Sequence, residues 1–364
     1  METSPTIRLG IIGMGGMGNN HARNILDGKT QGIQLVAAAD SDQTRLDALG
    51  DDVQKFTDPL AMMDSGAIDS VLIATPHFSH TPLGIAALEH NLHVLVEKPI
   101  SVHKADCEKL ISAYTNPDLV FGAVFNQRCI PYFRKLRELI QSGQLGEIHR
   151  VNWTITDWYR TDAYYKAGSW RATWKGEGGG VLLNQCPHNL DLLQWLFGMP
   201  SKITANCQFG RHHDIEVEDA VTAMLEFPNG ATGVFITSTG EAPGVNRLEV
   251  AADFGRVVLE NGSFKYHRNE VASPIHCRTS SHGFEKPETW DITIPTGAYT
   301  YGHVEILSNF AAAILQGEPL VAPAVEGIHS VELANAMLYS TFQKQAVTLP
   351  LDGQAYEAEL VSRY

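Results

Sequence analysis

The chain has 364 residues, 44% hydrophobic and 19% charged, with 27 Lys+Arg against 41 Asp+Glu for a formal net charge of −14. That length makes about two domains with apolar content enough for a core, which excludes a disordered tail or a fibrous repeat. The acid excess argues against a nucleic-acid or anionic-membrane surface, and no run approaches a membrane span of about 18 unbroken apolar residues.

In chain order, short apolar runs first alternate with helical patterns. Ile7–Ile12, Gln34–Ala39, Asp69–Ala74, His93–Val96 and Val120–Phe125 read as buried strands, and segments such as Leu83-x-x-Ala86-Ala87-Leu88 between them carry helical spacing. Such alternation makes βαβ units and a parallel, doubly wound sheet, whose ligands sit beyond the carboxyl ends of its strands. From about residue 145 the strands follow one another: Arg150–Thr156, Lys202–Phe209, Ala220–Phe227, Thr232–Ser238, Arg247–Ala251, Arg256–Leu259 and Gly262–Tyr266. Turns such as Glu226-Phe-Pro-Asn-Gly230 join them, the pattern of an antiparallel sheet. Helical patterns at Asn189–Phe197, Val304–Gln316 and Ala324–Phe342 are expected to cover one of its faces. The other broad face is expected to be apolar and to need cover, hence a homodimer or homotetramer. Ser273–Pro287 reads as a loop or insertion. Five scattered cysteines (Cys107, Cys129, Cys186, Cys207, Cys277) and a start without a basic-then-apolar leader suit a reduced, cytoplasmic protein.

The first strand runs directly into Gly13-Met14-Gly15-Gly16-Met17-Gly18, with a helical stretch from Asn19. Gly13 allows a tight turn, Gly15 the close approach of a pyrophosphate, and Gly18 the packing of helix on strand. Gly16 and Met17 complete a loop whose backbone N–H groups receive the diphosphate at the positive end of the helix. Asp40 closes the second strand 22 residues beyond Gly18, where an acid accepts hydrogen bonds from an adenosine ribose. A carboxylate there repels a 2′-phosphate. Ser41, Asp42 and Gln43 supply no cation, and Arg45 reads as a solvated helix residue, so the expected cofactor is NAD. The fold class is α/β: an N-terminal doubly wound Rossmann domain (1–125) for NAD, then an α+β domain (126–364) with a large, mainly antiparallel sheet for substrate binding and oligomerisation.

At the end of the strand His93–Val96 stands Glu97-Lys98-Pro99, which puts a lysine on the ligand crevice. With this element, the glycine loop, Ala74-Thr75-Pro76 followed by His80, and Gly178-Gly179-Gly180 leading to His188 and Asp191, the chain resembles the glucose–fructose oxidoreductase, inositol dehydrogenase and MocA family of NAD(P)-dependent oxidoreductases. The resemblance covers essentially the whole chain. Oxidising a secondary alcohol needs a hydride acceptor and a positioned base for the hydroxyl proton. The resemblance implies Lys98 for that proton transfer, with His188 as partner acid/base. An amine serves near neutral pH when desolvation or a positive neighbour lowers its pKa to roughly 7–8. Also implied are cofactor contacts from Ala74, Thr75, Pro76, His80, Glu97, Lys98, Asn126, Trp170 and Arg171. One departure stands out: relatives often carry Asp four residues before the histidine, where this chain has Asn184. Asn orients a hydroxyl but cannot take its proton, so Asn184 is expected to position substrate only. Asp191 is left between orienting the imidazole and capping.

Asp157-Trp158-Tyr159-Arg160, Tyr164-Tyr165-Lys166 and Trp170-Arg171-x-x-Trp174-Lys175 interleave aromatic and cationic residues with no helical or strand period. Aromatic faces stack on a sugar or cyclitol ring while Arg, Lys and Asn bond its hydroxyls. The resemblance puts this stretch at the mouth of the active site, with substrate contacts expected from Lys98, Asn126, Tyr159, Arg160, Tyr165, Trp174, Asn184 and His188. Asn126-Gln127-Arg128 matches a position where family side chains reach the nicotinamide or substrate. No metal is expected: His212-His213 with Asp214 and Glu216, and Cys186 beside His188, meet no zinc spacing and read otherwise as exposed loop. The expected activity is NAD-dependent oxidation of a secondary hydroxyl on a cyclic polyol, sugar or glycoside, with a small molecule as the only partner besides further copies of the chain. Two rivals are an enzyme that retains NAD and oxidises transiently, for net glycoside cleavage or elimination, and a non-catalytic dinucleotide-binding regulator.

Overall fold

The computed structural model describes residues 5–168, 170–297 and 302–364. Strands β1 (Ile7–Ile12), β2 (Ile33–Ala39), β3 (Gln54–Phe56), β4 (Ser70–Ile73), β5 (His93–Val96) and β6 (Phe121–Ala123) form one sheet in the order β3-β2-β1-β4-β5-β6, every pair parallel. All four residues of β4 are buried, as a strand covered by helices on both faces requires. The order reverses between β1 and β4, so the crevice opens between their carboxyl ends, where Gly13 and Ala74 follow. The edge strand β3 is a finding of the structure: Gln54-Lys55-Phe56 offers no apolar run to announce it.

The second sheet is built from β7 (Ile148–Ile155), β8 (Lys202–Phe209), β9 (Glu218–Glu226), β10 (Thr232–Ser238), β11 (Asn246–Ala252), β12 (Gly255–Glu260), β13 (Ser263–Asn269), β14 (Thr289–Thr293) and β15 (Val347–Thr348). Its order is β14-β13-β12-β11-β7-β10-β9-β8-β15, antiparallel except for the parallel pair β7–β10. Side chains alternate along each strand. Val151, Trp153, Ile155, Phe235, Leu248 and Val250 point into a core shared with the helices Pro131–Gln141, Pro187–Phe197 and Gly327–Gln343. The outer face corrects the expectation of a broad apolar surface. Arg150 pairs with Glu249 at 2.6 Å, and Arg247 bridges Glu249 at 2.9 Å and Glu260 at 2.6 Å. This charged ladder leaves only a limited apolar stretch around Met224, Val234 and Ile236.

Three further expectations are corrected. The helix Gly302–Gln316 covers the first sheet and not the second: Ile306, Leu307, Phe310 and Ala311 join the core of β1 and β2. Its periodicity defines an apolar face but not the partner of that face. Ala324–Glu326 is a separate 3₁₀ turn ahead of Gly327–Gln343. Ser273–Thr279, taken as part of a loop, is a helix with proline in its first turn, where the missing N–H costs nothing.

Candidate active site

The cofactor end is a matter of backbone clearance. Gly13 has φ +90, and a Cβ there would stand 2.8 Å from the Ala74 carbonyl oxygen; at Gly18 it would stand 1.9 Å from that of Gly13. Gly15 and Gly16 face open space, and the helix Gly16–Leu26 begins at Gly15 without a side-chain cap. Bare N–H groups at a helix start, with no side chain over them, form a cradle for a diphosphate. Met17 flanks it, 36% exposed. Asp40 fastens this loop, its carboxylate accepting from the Met14 N–H at 2.7 Å and the Asp42 N–H at 2.9 Å. A carboxylate offers about four acceptor sites, which leaves capacity for ribose hydroxyls. Arg45 is more than a solvated helix residue: it lies 3.3 Å from Asp40 and 3.4 Å from Asp42, drawn in by two carboxylates on one turn.

Across the crevice, Ala74, Thr75 and exposed Pro76 follow β4, and the Thr75 hydroxyl is buried without a partner. His80 is different. Its Nδ1 and Nε2 each lie 2.8 Å from a backbone carbonyl, of Pro99 and Thr75 respectively. No nitrogen is left for a cofactor, which corrects the contact implied for it; it braces the two strand ends. Burial lowers its pKa, against those two carbonyls, which favour the charged ring.

Beyond β5, Glu97 is buried, with one carboxylate oxygen 2.7 Å from His21 Nε2 and the other accepting the Lys98 N–H at 3.1 Å. Burial pushes its pKa up, but the hydrogen bond and charge of His21 and the charges of Lys98 and His303 outweigh it and hold the carboxyl at about 2. Glu97 is thus a fixed negative charge. Lys98 Nζ donates to the Asn184 carbonyl at 2.9 Å, and burial pulls its pKa down against the opposing charges of Glu97 and Glu177. His188, near the start of the helix Pro187–Phe197, packs edge-on against Phe125 with a buried, unpartnered Nδ1; burial first and the charge of Lys98 second keep it neutral well below its ordinary range. The Asn126 carboxamide oxygen is also buried and unpartnered, while its nitrogen lies 3.4 Å from His303. Orphaned polar atoms from Thr75, Asn126 and His188 in this region suit a polar ligand.

The substrate side turns on Tyr164. Its hydroxyl receives Arg171 Nη1 at 2.8 Å and Gln185 Nε2 at 3.2 Å, and donates to the Asn184 carboxamide oxygen at 3.2 Å. The guanidiniums of Arg160 and Arg171 lie 4.9 and 4.8 Å from the Tyr164 ring centre, and Arg171 also stacks on Trp170 at 4.7 Å. Trp170 in turn meets His77 edge-on. Asn184 donates to the buried carboxylate of Glu177. Tyr159 is exposed, and Tyr165 bonds Thr239 at 2.9 Å.

Several residues read as site groups lie elsewhere. Trp174 is only 7% exposed and packs on Phe209 and Phe342, so it belongs to the core. Asp191 does not orient His188; it grips Arg128 through two bonds of 2.8 and 2.6 Å, and Arg128 reaches Glu326 as well. Arg128 is thereby withdrawn from any ligand. His213 is buried between Asp219 at 3.1 Å and the Arg160 carbonyl at 3.0 Å, not in an exposed loop. Cys186 faces Thr237, its thiol pushed by burial up to about 12 and so inert. The glycine triplet serves close approach: a Cβ at Gly178 would meet Val102 at 2.1 Å, and one at Gly180 the Glu218 carbonyl at 2.0 Å. The Glu218 carboxylate accepts from the N–H groups of Gly180 and Leu182, and burial raises it to about 7. Away from the cleft, His103, Asp106 and Glu357 bring ligand atoms together, but Lys109 already sits 2.7 Å from Asp106 and 3.5 Å from Glu357.

Residues 7–123 match the model of the oxidoreductase family with an NAD-binding Rossmann fold, and residues 133–258 match the GFO/IDH/MocA C-terminal domain. The chain belongs to this family. It is 25% identical over 354 residues to the myo-inositol 2-dehydrogenase of Thermotoga maritima, covering 94% of this chain and 98% of that one. It is 26% identical to an inositol 2-dehydrogenase of Rhizobium meliloti, over 94% and 99% of the two chains. Among solved structures, the WlbA dehydrogenase of Chromobacterium violaceum in complex with NADH and UDP-GlcNAcA superposes with a TM-score of 0.82 at 24% identity, over 97% of this chain and 100% of that one.

This GFO/IDH/MocA oxidoreductase therefore binds NAD, and the bare cradle and Asp40 are the features that fit it. His21, His303 and Glu177 are not among the expected site residues, and Tyr164 is expected only as part of the aromatic stretch, without a substrate contact of its own. His21 sits three residues past Gly18 on the first helix, close enough in sequence to the loop for a signal; nothing local links His303 or Glu177 to Lys98.

Proposed function

We propose that the protein is an NAD-dependent dehydrogenase that moves a hydride between a secondary hydroxyl of a cyclic polyol, sugar or glycoside and nicotinamide. The observation that carries this reading is Lys98, a desolvated amine at the carboxyl end of β5, held by Asn184 in the same cleft as neutral His188. The names of the inositol dehydrogenase relatives support the substrate class. NAD, when bound, supplies the hydride acceptor. Lys98 takes the hydroxyl proton, and its lowered proton affinity makes the free amine accessible nearer neutral pH. His188 is neutral and offers its imidazole to the same hydroxyl. The aromatic and guanidinium groups around Tyr164 orient the ring, with Asn126 and Asn184 beside them. Of the two carboxamides, Asn184 has less to offer a substrate, since its oxygen is already taken by Tyr164 and Gln185.

The test is incubation with inositols, hexoses and glycosides plus free NAD. Stoichiometric NADH formation with one of them is the expected result. Aglycone release without NADH would instead mean a retained cofactor, and NADH binding without turnover of any substrate a regulator. We further propose a cytoplasmic homodimer or homotetramer, supported by the exposed Met224 beside Val234 and Ile236 on the outer face of the second sheet; native mass spectrometry of the purified protein reads the subunit number directly.

A further inference from the structure

We propose that Glu177 is the second carboxylate of the acid–base centre, a positioning residue that holds Asn184 and sets the charge around Lys98. This rests on the dehydrogenase reading and extends it to the group that tunes the base. Glu177 ends the short helix Trp174–Glu177 and is 2% exposed. One carboxylate oxygen accepts from the Asn184 side chain, the other from the Ala172 N–H at 2.7 Å. The backbone carbonyl of the same Asn184 receives Lys98 Nζ at 2.9 Å, so a single residue stands between carboxylate and ammonium.

Buried carboxylates are rarely kept without an ion pair, because desolvation is costly. Glu177 has none among the described residues; burial pushes its pKa up, against the hydrogen bonds from Ala172 and Asn184 and the charges of Arg171 and Lys98 that favour the carboxylate, while Glu218 carries a like charge. A second buried acid is already spoken for, since Glu97 is bonded to His21. The groups acting on Lys98 are Glu97, Glu177, Arg171 and Cys186, with His77, His80, His188 and His303 around it. Of these, Glu177 alone couples to Lys98 through the residue that holds the ammonium. Position 184 carries no acid, and the missing negative charge arrives from seven residues earlier in the chain.

The experiment reads the titration of Lys98 directly, by competitive acetylation across pH followed by peptide mass spectrometry, on the full chain with NADH binding as a control. Glu177→Gln keeps the shape and removes the charge, so the Lys98 titration should move down by roughly one pH unit, the lower end for a nearby charge. The acid limb of alcohol oxidation should move with it, and Glu177→Asp should restore both. Superposable labelling curves, or lower turnover with the limb unmoved, would overturn the proposal. Should Glu177→Gln not fold, Asn184→Ala removes the donor that stabilises the Glu177 carboxylate while leaving the backbone carbonyl that accepts from Lys98, so the Lys98 titration should again move down; an unchanged curve overturns the proposal. Absence of NADH formation by the unaltered protein would count against the dehydrogenase reading while leaving the labelling result intact.

Discussion

At the carboxyl end of β1 the dinucleotide loop is made almost wholly of backbone: glycines that clear space, an uncapped helix start and one aspartate that ties the loop down. The Lys98 cleft is made of side chains drawn from Glu97–Lys98, Glu177, Asn184, His188 and the Tyr164–Arg171 stretch: Glu177, Asn184, Tyr164 and Arg171 are linked by hydrogen bonds, Lys98 is held by the Asn184 carbonyl, and His188 packs on Phe125. The loop must accept one invariant group, and contiguous residues suffice for that. The cleft must tune proton affinity, which requires charges arriving from several directions in a desolvated place.

Substitutions that separate the two regions sharpen this contrast. The largest effect is expected from Lys98→Ala: turnover should fall by about 10²–10⁴-fold, the usual contribution of general acid–base catalysis, with NADH affinity little changed in a fluorescence titration. If binding and turnover fell together, the two regions would not be separable. Next comes a paired test within the loop. Gly18→Ala forces a Cβ into the Gly13 carbonyl and should cost about 1–3 kcal/mol or more in urea unfolding, as overpacking does. Gly15→Ala meets nothing in the protein, so its unfolding midpoint should hold while NADH binding weakens.

Asp40→Asn keeps an acceptor for the Met14 N–H but removes the charge. The ratio of NAD to NADP affinity should drop by about tenfold or more, since hydrogen bonds to charged groups contribute about 1.5–3 kcal/mol; a constant ratio would remove Asp40 from cofactor choice. The smallest effect concerns pH. His188 has its pKa lowered by burial, so below its ordinary value of 6.5 the unfolded chain binds the extra proton and stability falls as pH falls. Between about pH 7.5 and about pH 5.5 the thermal midpoint should therefore decline less in His188→Gln than in the unaltered protein. Parallel declines would show that His188 is not buried in its neutral form.

Local pattern explains which parts were legible. β1, β5, β8 and β10 have the bounds the sequence suggests: β1, β5 and β10 carry apolar runs, and in β8 the apolar Ile203, Ala205, Cys207 and Phe209 alternate with polar residues. The edge strands Thr289–Thr293 and Val347–Thr348 bury little and announce little. Lys98, His188, Asp40 and the glycines were legible from motif and position. Trp174 was not separable from Trp170, since only packing against Phe209 and Phe342 makes one a core residue. Asp191 looked suited to His188 by helical spacing, yet a buried guanidinium from Arg128 outcompeted a neutral ring for it.

From its residues alone, this protein is determined to be two sheets of different kinds with a dinucleotide at the start, because hydrophobic periodicity and glycine clearance act within a few residues of themselves. Tertiary structure decided which donor each acid serves. Glu97 took His21, Asp191 took Arg128 and Glu177 took Asn184. Coulomb and hydrogen-bond energies depend on distances in space, and chain order does not encode those.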